Sequence, residues 1–144
     1  MEATETTILC ATRGGEASIR TQQRAIELAK ERNARLVFIF VFDARFLEQY
    51  TAPRVPAMED EIQKMGEFLL LMAKERAEKA GVEADYTVRM GKFRSSLIEA
   101  ANELEASLVV LGRPADNNFT TLDYLENRLS SSITEETGAE VMVV

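Results

Sequence analysis

Apolar residues along this chain gather in short dense runs, separated by longer stretches where they recur every three or four positions. The first kind of run predicts strands and the second predicts helices that bury one face. Residues 6–12, TTILCAT, read as a strand that Gly14 and Gly15 break. Ser18 can cap a helix that carries Ala25, Ile26 and Ala29 on one side and stops at Asn33. Residues 35–42, RLVFIFVF, are nearly all apolar, as in a central parallel strand covered on both faces. Residues 43–58 contain Pro53 and Pro56 and read as a loop.

A long helix is expected over about 59–80, with Ile62, Met65, Leu69, Met72, Ala73 and Ala80 as its stripe and Gly81 as its stop. Leu71 lies off that stripe, roughly opposite Leu69 and Ile62 at about 100° per residue, with Phe68 and Leu70 beside it. In ADYTVRM, Ala84, Tyr86, Val88 and Met90 alternate with polar neighbours, the mark of a half-exposed edge strand. After GKFRSS a helix carries Leu97, Ile98, Ala101 and Leu104, then SLVVLG gives a fourth strand and EVMVV a fifth.

Strands and helices alternate throughout, which predicts an α/β fold with right-handed crossovers, in one domain over residues 1–144. Ligands of such sheets bind beyond the carboxyl ends of the strands, at a switch point. The relevant loops begin at Arg13, Asp43 and Gly112.

Composition narrows the function classes. The chain has 17 basic and 24 acidic residues, a net charge of −7, and no clustered Lys and Arg, which argues against nucleic-acid partners. It argues equally against an anionic membrane surface, and no apolar run is long enough to span a bilayer. The acidic start MEATETT has the character of neither a secretory nor a mitochondrial signal, and the one cysteine, Cys10, reads as a small core residue in a cytoplasmic protein. Histidine is absent, which removes the usual nucleophile–base pairs and metal clusters, so no catalytic residue and no metal site is expected. The acidic run at 58–61 suits a helix dipole better than a cation.

The order of elements resembles the universal stress protein family. The stretches that carry the resemblance are TILCATRGGEAS, ARLVFIFVFD, VRMGKFRSSLIEAANELEASLVVLG and ITEETGAEVMVV. The resemblance implies a single doubly wound parallel sheet of five strands, in order 3-2-1-4-5, with helices on both faces. It also implies a homodimer joined through the C-terminal strand, at Val141, Met142, Val143 and Val144.

Many members of that family bind ATP through an aspartate after the first strand and a Gly-x-x-Gly-x9-Gly-Ser/Thr loop after the fourth. Here Arg13 stands at the aspartate, Ala115 at the second glycine, and Asn127 and Arg128 at the final pair. The spacer from Asp116 to Glu126 is two residues longer than the family's nine. The positions that correspond to a nucleotide or anion site are Thr12, Arg13, Gly14, Val41, Gly112, Arg113, Asn127, Arg128 and Ser130.

Two readings of this segment stand side by side. A helix starting near Thr121 consumes the loop, whereas a helix starting near Asn127 leaves a cradle, in which Asn tolerates the positive φ that Ala115 resists. Arg13 is either a solvated or ion-paired charge at a strand end or, beside Arg128, a bidentate anion ligand. Three functions follow: a regulatory stress-response protein that binds no cofactor and works through a protein partner; a module that holds ATP or another phosphate ligand weakly; and an enzyme of phosphate chemistry, which lacks a visible base or nucleophile.

Overall fold

The computed structural model describes residues 6–13, 16–43, 55–113 and 124–144. In chain order the elements are β1 (Thr7–Ala11), α1 (Glu16–Arg32), β2 (Arg35–Phe42), α2 (Val55–Lys79), β3 (Ala84–Met90), α3 (Phe93–Glu103), β4 (Leu108–Leu111), a π-helical turn (Tyr124–Leu129), α4 (Ser130–Thr137) and β5 (Glu140–Val143). The five strands form one sheet in order β3-β2-β1-β4-β5, and every pair is parallel. The fold is therefore the expected one, with the alternating strand β3 at one edge and β5 at the other.

The pleat sends alternate residues of each strand to opposite faces. On one face Ile8, Cys10, Leu36, Phe38, Leu108 and Val110 pack against α1 and α2. On the other, Leu9, Val37, Ile39, Val109 and Leu111 pack against α3 and α4. The dense run in β2 is buried for this reason, since each face of the central strands is covered.

Several expectations need correction. The first helix begins at Glu16, so Ser18 is inside it, and its hydroxyl accepts the backbone N–H of Arg13 (3.2 Å). The stop at Asn33 holds: Asn33 takes φ 52°, and the chain turns there into β2. The long helix begins at Val55, four residues before the expected start. Pro56 falls in its first turn, where a missing N–H breaks no intrahelical bond. The acidic run 58–61 therefore lies past the helix start, and Asp60 pairs with Lys64 at 3.0 Å. Among the described residues no group of three or more potential metal ligands gathers.

The buried stripe of α2 is rotated from the expected one. Leu70, Ala73 and Ala77 are fully buried, whereas Met65 and Met72 are exposed. Small residues decide the seating: a Cβ at Gly66 would stand 2.7 Å from the Phe40 ring, so the helix lies close on β2 and the methionines face outward. Leu71 is exposed as expected, with Phe68, but Leu70 is not part of that surface. Met90 is also exposed, at the last position of the edge strand, where neighbours lie on one side only.

Candidate functional site

β1 is central, and the chain winds outward from it to β2 and to β4. The crevice between the carboxyl ends of β1 and β4 is thus the switch point. Cys10 pairs with Val110, so Thr12 and Arg13 leave the sheet beside Gly112 and Arg113. Val41 stands at the same level on β2, since Ala11 pairs with Ile39. The helix ending in β5 runs antiparallel to the strands, so the π-helical turn carrying Asn127 and Arg128 begins at this same end.

The pleat divides the expected site into two sets. Thr12 and Gly112 face α1. Thr12 is buried and its hydroxyl accepts a hydrogen bond from Gln22 Nε2 (2.8 Å), and Gln22 Oε1 in turn accepts one from Arg76 Nη1 (2.9 Å) on α2. A Cβ at Gly112 would stand 2.7 Å from Thr21 Oγ1 on α1. These two positions are occupied with packing helix to sheet.

The other set faces α3 and α4. Ala11, Val41 and Tyr124 pack half-buried against that core cluster. Leu111 belongs to the same cluster, so the alternation carries Arg113 to that side. Arg13 is the next residue after Ala11 in the same alternation. Arg13, Arg113, Asn127 and Arg128 are exposed.

Two of the described backbone donors here, those of Arg13 and Arg113, are already in use. The Arg113 N–H donates to Val144 O (3.0 Å), and Val144 N–H to Leu111 O (2.8 Å), which extends the β4–β5 ladder past the strand ends. The Arg13 N–H is held by Ser18. The helix begins no later than Tyr124, so the reading in which it starts near Asn127 is corrected: Asn127 and Arg128 lie inside a helical turn. The Asn127 carbonyl accepts the Ser131 hydroxyl at 2.6 Å. Ser130 lines a groove of about 360 Å³ with Ser131, Thr134, Glu135 and Val141, on the β5 side of α4. Gly14, Ala115 and Thr121 lie outside the described residues.

Gln22 and Thr21 are missed by the sequence reading. Gln22 precedes Ala25, Ile26 and Ala29 by three, four and seven positions, so its place on the buried stripe was visible in the spacing. Cys10 is a core residue as expected, and burial pushes its thiol up to about 12.

A parallel sheet in this order, with two helices on each face and a switch point between β1 and β4, defines a Rossmann-like α/β protein. The model of the universal stress protein family matches residues 5–144, and the chain belongs to that family. Among solved structures, a universal stress protein from Burkholderia pseudomallei is 22% identical, with coverage of 96% of this chain and 95% of that one and a TM-score of 0.73. A hypothetical protein solved as a structural-genomics test of functional assignment is 13% identical, with 99% and 96% covered and a TM-score of 0.78. A universal stress protein solved in complex with cAMP is 22% identical, with 99% and 98% covered and a TM-score of 0.62. No curated protein sequence matches the chain.

Proposed function

We propose that this chain is a non-enzymatic, cytoplasmic regulatory protein of the stress response, which assembles as a homodimer through β5 and works through a protein partner. In this reading it does not hold ATP in the manner of its family. The observation that carries it is Arg13 at the end of β1, a cation without acceptor capacity where family members place a carboxylate. Two further features support it: the helix that begins before Asn127, and the use of Gly112 in packing against Thr21. The relative solved with cAMP illustrates that a protein of this fold can hold a nucleotide. No helix among the described residues is long and apolar enough to cross a membrane, in keeping with this reading.

Each altered contact costs about 1–2 kcal/mol if it resembles one lost hydrogen bond, and three together weaken binding roughly a hundredfold or more. Calorimetric titration should therefore find no ATP binding tighter than about 100 μM. Mass spectrometry of the denatured, freshly purified protein should find no stoichiometric nucleotide. Low-micromolar ATP affinity, or ATP retained near one per chain, would sink the reading.

A further inference from the structure

The outer face of α2 is apolar where a surface helix ordinarily carries charge. Among the described residues six large apolar side chains are exposed, and four of them, Met65, Phe68, Leu71 and Met72, lie on this helix. Phe68 is 64% exposed and Met65 51%. At about 100° per residue the four fall within roughly 120° of arc, centred on Phe68 and opposite the buried Leu70, Ala73 and Ala77. Single exposed apolar residues are ordinary, but a contiguous patch on one regular element marks a contact surface. The core does not need these side chains, since Gly66 and the two alanines seat the helix on the sheet.

Charges at the two ends of the patch indicate what covers it. Glu61 and Lys64 stand exposed before it and Glu75 and Lys79 after it, all on the same outer arc. Glu61 and Lys79 are equidistant from position 70 and lie on one line along the helix, and Lys64 and Glu75 are nearly equidistant from it on a neighbouring line. Two copies of α2 packed antiparallel about a two-fold axis level with Leu70 therefore set Glu61 against Lys79 and Lys64 against Glu75, each pair occurring twice. Phe68 then meets Met72 of the other copy, aromatic ring against thioether. Parallel packing would instead set each charge against its own kind. Lys64 already meets Asp60 at 3.0 Å, but that exposed pair contributes little, and the ammonium keeps donors for a second carboxylate. Asp60, Glu67, Lys74 and Glu78 lie farther round the helix, at the rim, where solvent screens them.

We infer that the outer face of α2 is a second self-association surface, covered by α2 of another copy of this chain. α2 packs on β2 and β3, on the far side of the sheet from β5, so pairing through one does not obstruct pairing through the other. The inference stands apart from the reading that β5 joins a homodimer. One helix pair buries less than the roughly 1,200 Å² of a standard interface, which places the association at about 0.1–1 mM.

Sedimentation equilibrium of the full chain from about 10 μM to 1 mM should show the mean mass rising toward twice its micromolar value. Phe68→Glu should abolish that rise and leave the micromolar mass unchanged. Glu61→Lys and Lys79→Glu should each weaken the association by about three- to tenfold, because each turns two attractive pairs into repulsive ones. The double variant Glu61→Lys with Lys79→Glu should restore it, which separates a paired interface from unspecific apolar adhesion. A mass that stays constant up to 1 mM overturns the inference, as does a rise that Phe68→Glu leaves intact or a double variant that regains nothing. Val143→Lys should lower the micromolar mass and leave the doubling at high concentration in place, so failure of pairing through β5 is read separately from failure of pairing through α2.

Discussion

The role of Gly112 can be tested by asking what its missing side chain makes room for. In a working phosphate loop such a glycine would let backbone approach the ligand, and an alanine there would chiefly damage binding. Here the added methyl would meet Thr21 Oγ1 at 2.7 Å, well inside van der Waals contact. Thr21 has little room to yield: it is 3% exposed, and a β-branched side chain on a helix is stiff at χ1. Overpacking of this kind costs about 1–3 kcal/mol. For a domain of this size that lowers Tm by roughly 2–10 °C. The assay is a double-mutant cycle by urea unfolding, with Gly112→Ala, Thr21→Ala and the pair. Removing the threonine hydroxyl and methyl relieves the clash, so the pair should lose less than the sum of the singles, by about 0.5–3 kcal/mol. If Gly112→Ala is neutral, or costs the same in both backgrounds, glycine is not there for the helix.

Other outcomes follow from the same contacts. Burial lifts the Cys10 thiol from its ordinary 9.0 to about 12, so between those pH values the unfolded chain gives up a proton that the folded chain keeps. Stability from this group is complete below about pH 9 and is lost as pH rises toward 12, at up to about 1.4 kcal/mol per pH unit. Urea unfolding from pH 8 to 10 should show a shallower alkaline loss in Cys10→Ala, and identical slopes would refute it. Gln22→Leu strips partners from both Thr12 and Arg76 and should cost about 1–3 kcal/mol, read by the same unfolding experiment. β5 presents half-buried Val141, Met142 and Val143 at a sheet edge that wants a partner strand. Analytical ultracentrifugation should find a dimer at micromolar concentration and a monomer for Val143→Lys. A monomeric parent protein, or a variant of unchanged mass, would count against pairing through β5.

The strands were legible because they are written in dense apolar runs, and the alternation of β3 marked it as an edge strand, whereas the strand order came from the resemblance to the universal stress protein family. The rotation of α2 was not legible. Apolarity alone favours Met65 and Met72 for the core, but the helix seats itself by the small Gly66, Ala73 and Ala77 against the phenylalanines of β2. Its start was missed because proline usually reads as a break, whereas in a first turn it is well tolerated. At the site, sequence named the switch-point residues but not their faces. Only the register settles that Thr12 looks toward Gln22 while Val41 and Arg113 look the other way.

That division also separates the switch-point positions by what holds them in place. Thr12 and Gly112 are both held by α1: one through a buried hydrogen bond to Gln22, the other through its close approach to Thr21. Changing either disturbs the core whether or not a ligand is ever bound. Arg13, past the end of β1, and Asn127 and Arg128, in the π-helical turn, are exposed. The fold therefore constrains one face of the switch point through packing and leaves the other to whatever the site must hold. A threonine and a glycine in this motif are then evidence about helix–sheet packing. What the crevice can hold depends on the residues that packing leaves unconstrained, which among the described residues include Arg13, Arg113, Asn127 and Arg128.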